Sequence, residues 1–459
     1  MTSSDTTPAA TAYGPAASPA EAPLAVRQEA ALGTGPHVAA PVVRSTGLTT
    51  IGVIGISVVG VVGLGVAAYL LFGLGPIAVG FAGIMALIPL AIVLLGVNWI
   101  DRWEPEPRGI LAFGFLWGAA ASVAIALIVG VGVQLVVDAL GGAGPGFDFF
   151  GAAVQAPIVE EGAKAFGLLL IFWFARKHFD GPVDGIVYAA WIAGGFAFTE
   201  NILYFGVELV NSGGFSGSVF SILLMRGIMS PFAHVMFTAA TGVMLGIAAS
   251  RGSKGTTVLW FAGGLAIAIA LHALWNGSLY FVGNFFFGYY ALVQFPLFVG
   301  AVLLVIFLRK KEAKLTHDRL SEYAAVGWYK PDEINALATG AGRRQAMAWA
   351  RQRGLAAVMR RYTRDSTRLA FTRQRLITGR ARLGAEADEA ALLTAIVATR
   401  AQLHAAPARA VPANYVPAQV APVQAAAATP PTAPAPAVDA PDVAAPDRQP
   451  RQGPPAPLR

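Results

Sequence analysis

Cysteine is absent from the 459 residues, and charge is scarce, with Asp, Glu, Lys and Arg together making up 13%. The first absence excludes disulfides and thiolate metal sites. The second excludes an ordinary water-soluble surface, since soluble domains draw about a quarter of their residues from that set. No basic segment precedes an early apolar run. The first 49 residues are rich in Ala, Pro, Ser and Thr, so no cleavable signal peptide is expected. There is no H-E-x-x-H and no internal repeat.

What is present is apolar, with 55% hydrophobic residues and a mean hydropathy of +0.59. A membrane-spanning helix needs about 20 such residues in a row. Runs of that kind occur at about 50–74, 77–99, 110–137, 151–174, 185–206, 218–248, 258–281 and 289–308. The expected fold is an all-α, polytopic transmembrane helical bundle of about eight spans. The boundary at Gly73-Leu74-Gly75-Pro76 is weak and leaves a seven-span count open. Small residues such as Gly73, Gly75, Gly194 and Gly195 suit close helix packing in lipid. The last two are also expected to let a substrate helix approach.

Basic residues in short loops set the expected orientation. Arg102 and Arg108, then Arg176 and Lys177, then Arg251 and Lys254, and finally Arg309, Lys310 and Lys311 fall on alternate connections. The loops between them, near 138–150, 207–217 and 282–288, carry no Lys or Arg. Both termini are therefore expected in the cytosol of a bacterial cell. The tails at 1–49 and 406–459 read as disordered, the second rich in Pro and Ala. Residues 309–405 read as a cytosolic, basic helical region. The net charge of +7 belongs mostly to that region, and no nucleic-acid partner is expected.

Ionisable residues inside spans cost roughly 2.5–3.5 kcal/mol each at the bilayer centre on insertion scales. Four spans keep them. The fourth carries Glu160, Glu161 and Lys164, with Glu160 and Lys164 on one helix face. One carboxylate can pair with the ammonium, leaving the other as a proton acceptor. The fifth carries Glu200, Asn201 and Tyr204. The sixth carries Arg226, Pro231 and a stripe of His234, Thr238 and Gly242. The seventh carries His272 and Asn276.

Two carboxylates beside one lysine leave an unbalanced charge in the fourth span, which favours function, whereas each of the other clusters taken singly is as well explained by packing or partner contacts. Taken together they share a depth. Glu160, Glu161 and His272 lie roughly 14 Å in from the outer ends of their spans, at 1.5 Å per residue. Glu200 lies about 9 Å in, and His234 falls near the middle of a long span. A common hydrated cavity is expected. Two imidazoles and nearby carboxylates suffice for a divalent metal of the zinc type. In a metal-free version a Glu activates water and Asn276 stabilises the oxyanion. A proton- or ion-coupled transporter is the main alternative, weakened by the lack of a matching polar set in spans one to three. An inactive scaffold using the cytosolic tail is the other.

These clusters resemble the motifs of the PrsW family of intramembrane proteases, grouped with the CAAX prenyl proteases and bacteriocin-processing enzymes. The matching residues are Glu160-Glu161-x-x-Lys164; Phe196-x-x-x-Glu200-Asn201-x-x-Tyr204; His234-x-x-Phe237-Thr238-x-x-x-Gly242, with Arg226 upstream; and His272-x-x-Trp275-Asn276. The Asp101–Pro107 loop is similar to one in this family. The resemblance covers about 50–308 and implies peptide-bond hydrolysis in the lipid bilayer. The substrate it implies is a membrane-anchored protein such as an anti-sigma factor. It implies Glu160, Glu161, His234 and His272 as the catalytic set, with Glu200 and Asn276 assisting. Lys164, Asn201, Tyr204 and Arg226 are expected to support them. The expected ligands of the metal, zinc, are His234, His272 and Glu200.

Overall fold

The computed structural model describes residues 46–405, apart from 145, 252–253 and 380–383. The tails expected at 1–49 and 406–459 lie outside the described residues, except that 46–49 open the first helix. Among the described residues there is no strand, and the chain is all-α as its composition requires.

All eight apolar runs are helical, apart from residues 230–232 in the sixth. They form α1 (Thr46–Leu74), α2 (Pro76–Ile100), α3 (Arg108–Ala139), α4 (Ala156–Phe174), α5 (Pro182–Asn211), α6 (Ala233–Arg251), α7 (Lys254–Val282) and α8 (Phe295–Ala325). Gly75 separates the first two, with φ 79° at the cap of α2, a left-handed conformation that suits Gly. Neither Gly73 nor Gly75 packs against a neighbour, so the weak boundary is a turn and not a packing seam.

By length and composition, six helical stretches among the described residues can cross a membrane. The stretch 255–325 contains two of the expected runs, parted at Gly283, where φ is 46°. The fourth run is not among the six, and it carries Glu160, Glu161 and Lys164 within one turn and a half.

Among the described residues, four π-helical stretches interrupt the α-helical pattern. They are Trp117–Ser122 within α3, Gly151–Gln155 before α4, Leu223–Met229 before α6 and Tyr290–Gln294 before α8. Such bulges re-aim side chains that α-periodicity would send elsewhere. Residues 230–232, around Pro231, then break the helix just before His234.

Helix α5 is the hub. Its apolar window is 72% buried, against 17% for α1 and 11% for the stretch that includes α8. Around it Val93, Leu111, Leu168, Ile192 and Leu245 form the main core, while Phe72, Phe281 and Phe307 face outward, as helices apolar on every side do in lipid. Close approach depends on glycine. A Cβ on Gly185 would collide with the Gly242 carbonyl of α6, and one on Gly195 with the Phe115 carbonyl of α3. Gly194 faces Val93 of α2. The pair expected to admit a substrate therefore packs helices inside the bundle.

Beyond the membrane-type helices, α9 (Pro331–Ala338), α10 (Gly340–Gln352), α11 (Ala356–Ile377) and α12 (Ala385–Ala405) enclose a second core with the end of α8. Tyr323, Tyr329, Leu369 and Ile396 are at its centre. This layer is joined to the loops of the membrane-type bundle. Trp103 Nε1 donates to Thr316 Oγ1 (3.3 Å), Arg343 Nη1 donates to the Trp103 carbonyl (2.7 Å), and Arg375 pairs with Asp180.

Candidate active site

Helix α4 presents Glu160, Glu161 and Lys164 toward α6 and α7, and the two glutamates end in different surroundings. Glu161 is buried and fully partnered. Its Oε1 accepts from Lys164 Nζ at 2.9 Å and faces His272 Nδ1 at 3.2 Å, and its Oε2 accepts from Thr238 Oγ1 at 2.8 Å. Glu160 is held loosely. Its Oε2 lies 3.5 Å from Lys164 Nζ and 3.9 Å from His272 Nε2.

Lys164 is wholly buried, with its ammonium 3.8 Å from the centre of the Phe196 ring. It also meets His234 Nδ1 at 3.2 Å. The other nitrogen of His234, Nε2, is 2.8 Å from Glu200 Oε2. The two imidazoles stand edge to face at 5.2 Å, with Phe237 stacked on His272 at 5.0 Å.

Glu200 is tied into a further group. Arg226 donates from Nη2 to Glu200 Oε2 (2.6 Å) and from Nε to Asn201 Oδ1 (3.0 Å), and its guanidinium lies 3.9 Å over the Tyr204 ring. The π-helical turn carries Arg226 into this position. Asn276 behaves differently from the expected oxyanion donor. Its Nδ2 donates to the Ala152 carbonyl at 2.9 Å, in the π-helical stretch before α4, where the ladder is irregular.

The structure therefore brings Glu160, Glu161, Lys164, Glu200, His234 and His272 into one cluster, with Arg226, Asn201 and Tyr204 behind Glu200 and Asn276 bracing the entry to α4. Residues not singled out as site residues also belong here. Thr238 completes Glu161, Phe237 covers His272, and Phe196 covers Lys164. All three lie in the quoted motifs, and the i, i+4 spacing of His234 and Thr238 was the available signal.

The cluster is asymmetric. The side chains of Glu161, Lys164 and His272 are 0–2% exposed, whereas those of Glu160, His234 and Glu200 are 12–14% exposed. The latter side is the more open one.

For a metal, the compact donor set is Glu160, His234 and His272, with one ligand atom from each lying within 4.8 Å of the others. Two imidazoles and one carboxylate are a composition used by catalytic zinc sites, and the residues fit such an ion. Glu161 Oε1 against His272 Nδ1 leaves Nε2 of that ring directed at Glu160, which is the arrangement that orients a histidine ligand. Of the carboxylates, Glu160 and not the expected Glu200 falls in this compact set, and Glu200 is paired with Arg226. The remaining ring nitrogen of His234 faces the Lys164 ammonium, and His234 would have to free a nitrogen lone pair to hold a metal.

Residues 106–301 match the PrsW family of intramembrane metalloproteases. Among curated proteins, the chain is 31% identical to Protease PrsW of Clostridioides difficile over 198 residues, covering 42% of this chain and 76% of that protein. It is 29% identical to Protease PrsW of Geobacillus kaustophilus over 241 residues, covering 51% and 93%. With Protease PrsW of Bacillus subtilis the identity is 29% over 211 residues, covering 45% and 87%. No solved structure matches the chain.

Proposed function

The chain belongs to the PrsW family of intramembrane metalloproteases, and from that premise we propose that it hydrolyses a peptide bond of a membrane-anchored protein with Glu160 as the proton acceptor. As a family member it is a membrane-embedded endopeptidase whose substrate is a protein. The observation that carries the assignment of roles is the difference between the two glutamates. Both oxygens of buried Glu161 have close partners, whereas Glu160 is partly exposed and weakly held.

The residues proposed to hold the metal, zinc, are His234 and His272, with Glu160 beside them as the base. What the metal supplies when bound is Lewis-acid polarisation of the scissile carbonyl. The protein's own residues do the rest. Glu160 takes a proton from water and passes it to the leaving amine. Glu161 orients His272, and Lys164 holds the two carboxylates of α4 together. Glu200 and Arg226 hold the His234 ring. The apolar outer helices keep lipid from the cluster, and its more exposed side admits the water that hydrolysis needs.

The proposed substrate class is a membrane-anchored regulatory protein of the anti-sigma-factor type, a reading supported by the motif resemblance. The proposed orientation has both termini and the α9–α12 layer in the cytosol. It is supported by the basic loops and by their contacts to that layer, such as Arg343 to Trp103.

The test is cleavage of single-span membrane proteins in cells, comparing wild type with Glu160→Gln and His272→Ala, together with metal analysis of the purified proteins. Loss of cleavage at unchanged expression is expected for both, and loss of bound metal for His272→Ala. Unaltered processing by Glu160→Gln removes the proposed role.

A further inference from the structure

A polar cavity of about 1630 Å³ lies between the 102–108 loop and the α10–α12 layer. It is separate from the glutamate–histidine cluster and shares no residue with it. Ten arginines line it against six carboxylates. More than half of its wall comes from residues beyond 301, outside the part matched by the family.

The carboxylates do not neutralise this excess. Asp180 is engaged by Arg375, and Asp365 is 3.6 Å from the neighbouring Arg364. Glu106 accepts from the Tyr188 hydroxyl. Burial pushes Glu104 up to about 8, so near neutrality it is mostly uncharged. Among the described residues, Arg102, Arg108, Arg344, Arg360 and Arg368 form no ion pair and no side-chain hydrogen bond. Nε of Arg309, also on the wall, is closed off from solvent and meets no acceptor.

The placement is not that of a solvated helical face. Arg360, Arg364 and Arg368 follow at i, i+4 and i+8, so one side of α11 delivers three guanidinium groups to the same cavity. Arg102 and Arg108 come from the opposite wall. Like charges brought together from two structural layers repel unless an anion lies between them. Guanidinium is the cation whose fork matches phosphate oxygens in two-point hydrogen bonds. Trp99 and Arg309, at the ends of α2 and of the apolar part of α8, put one rim of the cavity at the edge of the bilayer-type surface.

We infer that this cavity binds a phosphate-bearing ligand, held by Arg360, Arg364 and Arg368 on one wall and by Arg102 and Arg108 on the other. The ligand clamps the α10–α12 layer to the 102–108 loop, and that loop is joined through Glu106 and Tyr188 to the hub helix that carries Glu200. An anionic phospholipid headgroup and a soluble phosphate ester share the chemistry the arginines recognise.

The experiment uses the full chain in nanodiscs and reads amide hydrogen exchange over residues 340–352 and 356–377. One arm adds inorganic pyrophosphate to discs of phosphatidylcholine. The other uses discs of equal parts phosphatidylcholine and phosphatidylglycerol without added phosphate. A ligand at about ten times its Kd slows exchange from the opened layer about tenfold. Slowing by pyrophosphate identifies a soluble ester, and slowing only in phosphatidylglycerol discs identifies a headgroup.

The triple variant R360Q/R364Q/R368Q is expected to abolish the effect, and R361Q, on the same helix but outside the cavity, to retain it. R108Q tests the opposite wall independently of α11 and is expected to weaken binding. No slowing in either arm, or slowing that survives both the triple variant and R108Q, overturns the inference.

Discussion

Glu161 and His272 meet across α4 and α7 at 3.2 Å, and the contact uses the ring nitrogen farther from Glu160. A carboxylate that already serves Lys164 and Thr238 thereby also fixes the direction of an imidazole. The two adjacent glutamates should therefore respond differently to the same substitution. Glu160→Gln is expected to lower cleavage by about 10²–10⁴, the range for losing a general base, with little change in thermal stability. Glu161→Gln leaves the buried ammonium of Lys164 short of its main counter-charge and is expected to cost about 3–5 kcal/mol of stability. Cleavage assays paired with thermal unfolding in detergent separate the two. Equal destabilisation by both would show that the carboxylates share one role.

The Asn276 amide makes a second discriminating case. If it stabilised an oxyanion, Asn276→Ala would lower turnover by about 10²–10³. Its hydrogen bond to the Ala152 carbonyl points to a bracing role, worth about 1 kcal/mol net. The expected outcome is a small loss of stability with cleavage reduced less than tenfold, most of it recovered at lower temperature. A hundredfold loss of turnover in a protein of normal stability would return Asn276 to the reaction centre.

Much of this site was legible beforehand because charge inside an apolar helix is costly enough to need a reason. The spacing of Glu160 and Lys164 placed them on one face, and the shared depth of the clusters pointed to one gathering of side chains. What periodicity could not supply was the division of labour. Which glutamate is free depends on Thr238 and His272, which come from other helices. That Glu200 is held by Arg226 depends on a π-helical turn at Leu223–Met229, where α-helical spacing no longer says which way a side chain points. Gly194 and Gly195 read correctly as close-packing residues, but only the structure shows that Val93 and the α3 backbone fill the space a substrate would need. The cavity behind the basic loops was legible only as a run of arginines, because its other wall is more than 200 residues away in the chain.

Arg226 joins Glu200 and Asn201 by two separate N–H groups while its flat face lies over Tyr204. Lysine offers neither the fork nor the plane. Arg226→Lys is therefore expected to behave nearly like Arg226→Gln, each lowering cleavage through misplacement of Glu200 and the His234 ring. A double-mutant cycle with Glu200→Gln should give a coupling energy of about 0.5–3 kcal/mol, the range for residues in one hydrogen-bonded network. Full activity in Arg226→Lys would mean that charge alone suffices at this position.

The 101–107 loop carries the last expectation, a dependence on pH. Burial is the main cause that raises Glu104 from 4.5 to about 8, reinforced by Asp184 and Asp180 and opposed by Arg375 and Arg368. Asp101 is likewise raised by burial, to about 6, against the lowering effect of the Glu106 backbone N–H that it accepts. Both groups hold their protons more tightly in the folded protein than in the unfolded chain. Their contribution to stability is full below the ordinary carboxylate range and is lost as pH rises through the folded values. Docking of the loop against the α10–α12 layer should therefore loosen between about pH 5 and pH 8, seen as faster amide exchange over 101–107 after correction for the intrinsic rate. Glu104→Gln is expected to abolish the upper part of that window, near 8, and to leave the part near 6 that belongs to Asp101. Exchange in this loop that slowed with rising pH, or a profile unchanged by Glu104→Gln, would show that the carboxyl is charged in the folded protein.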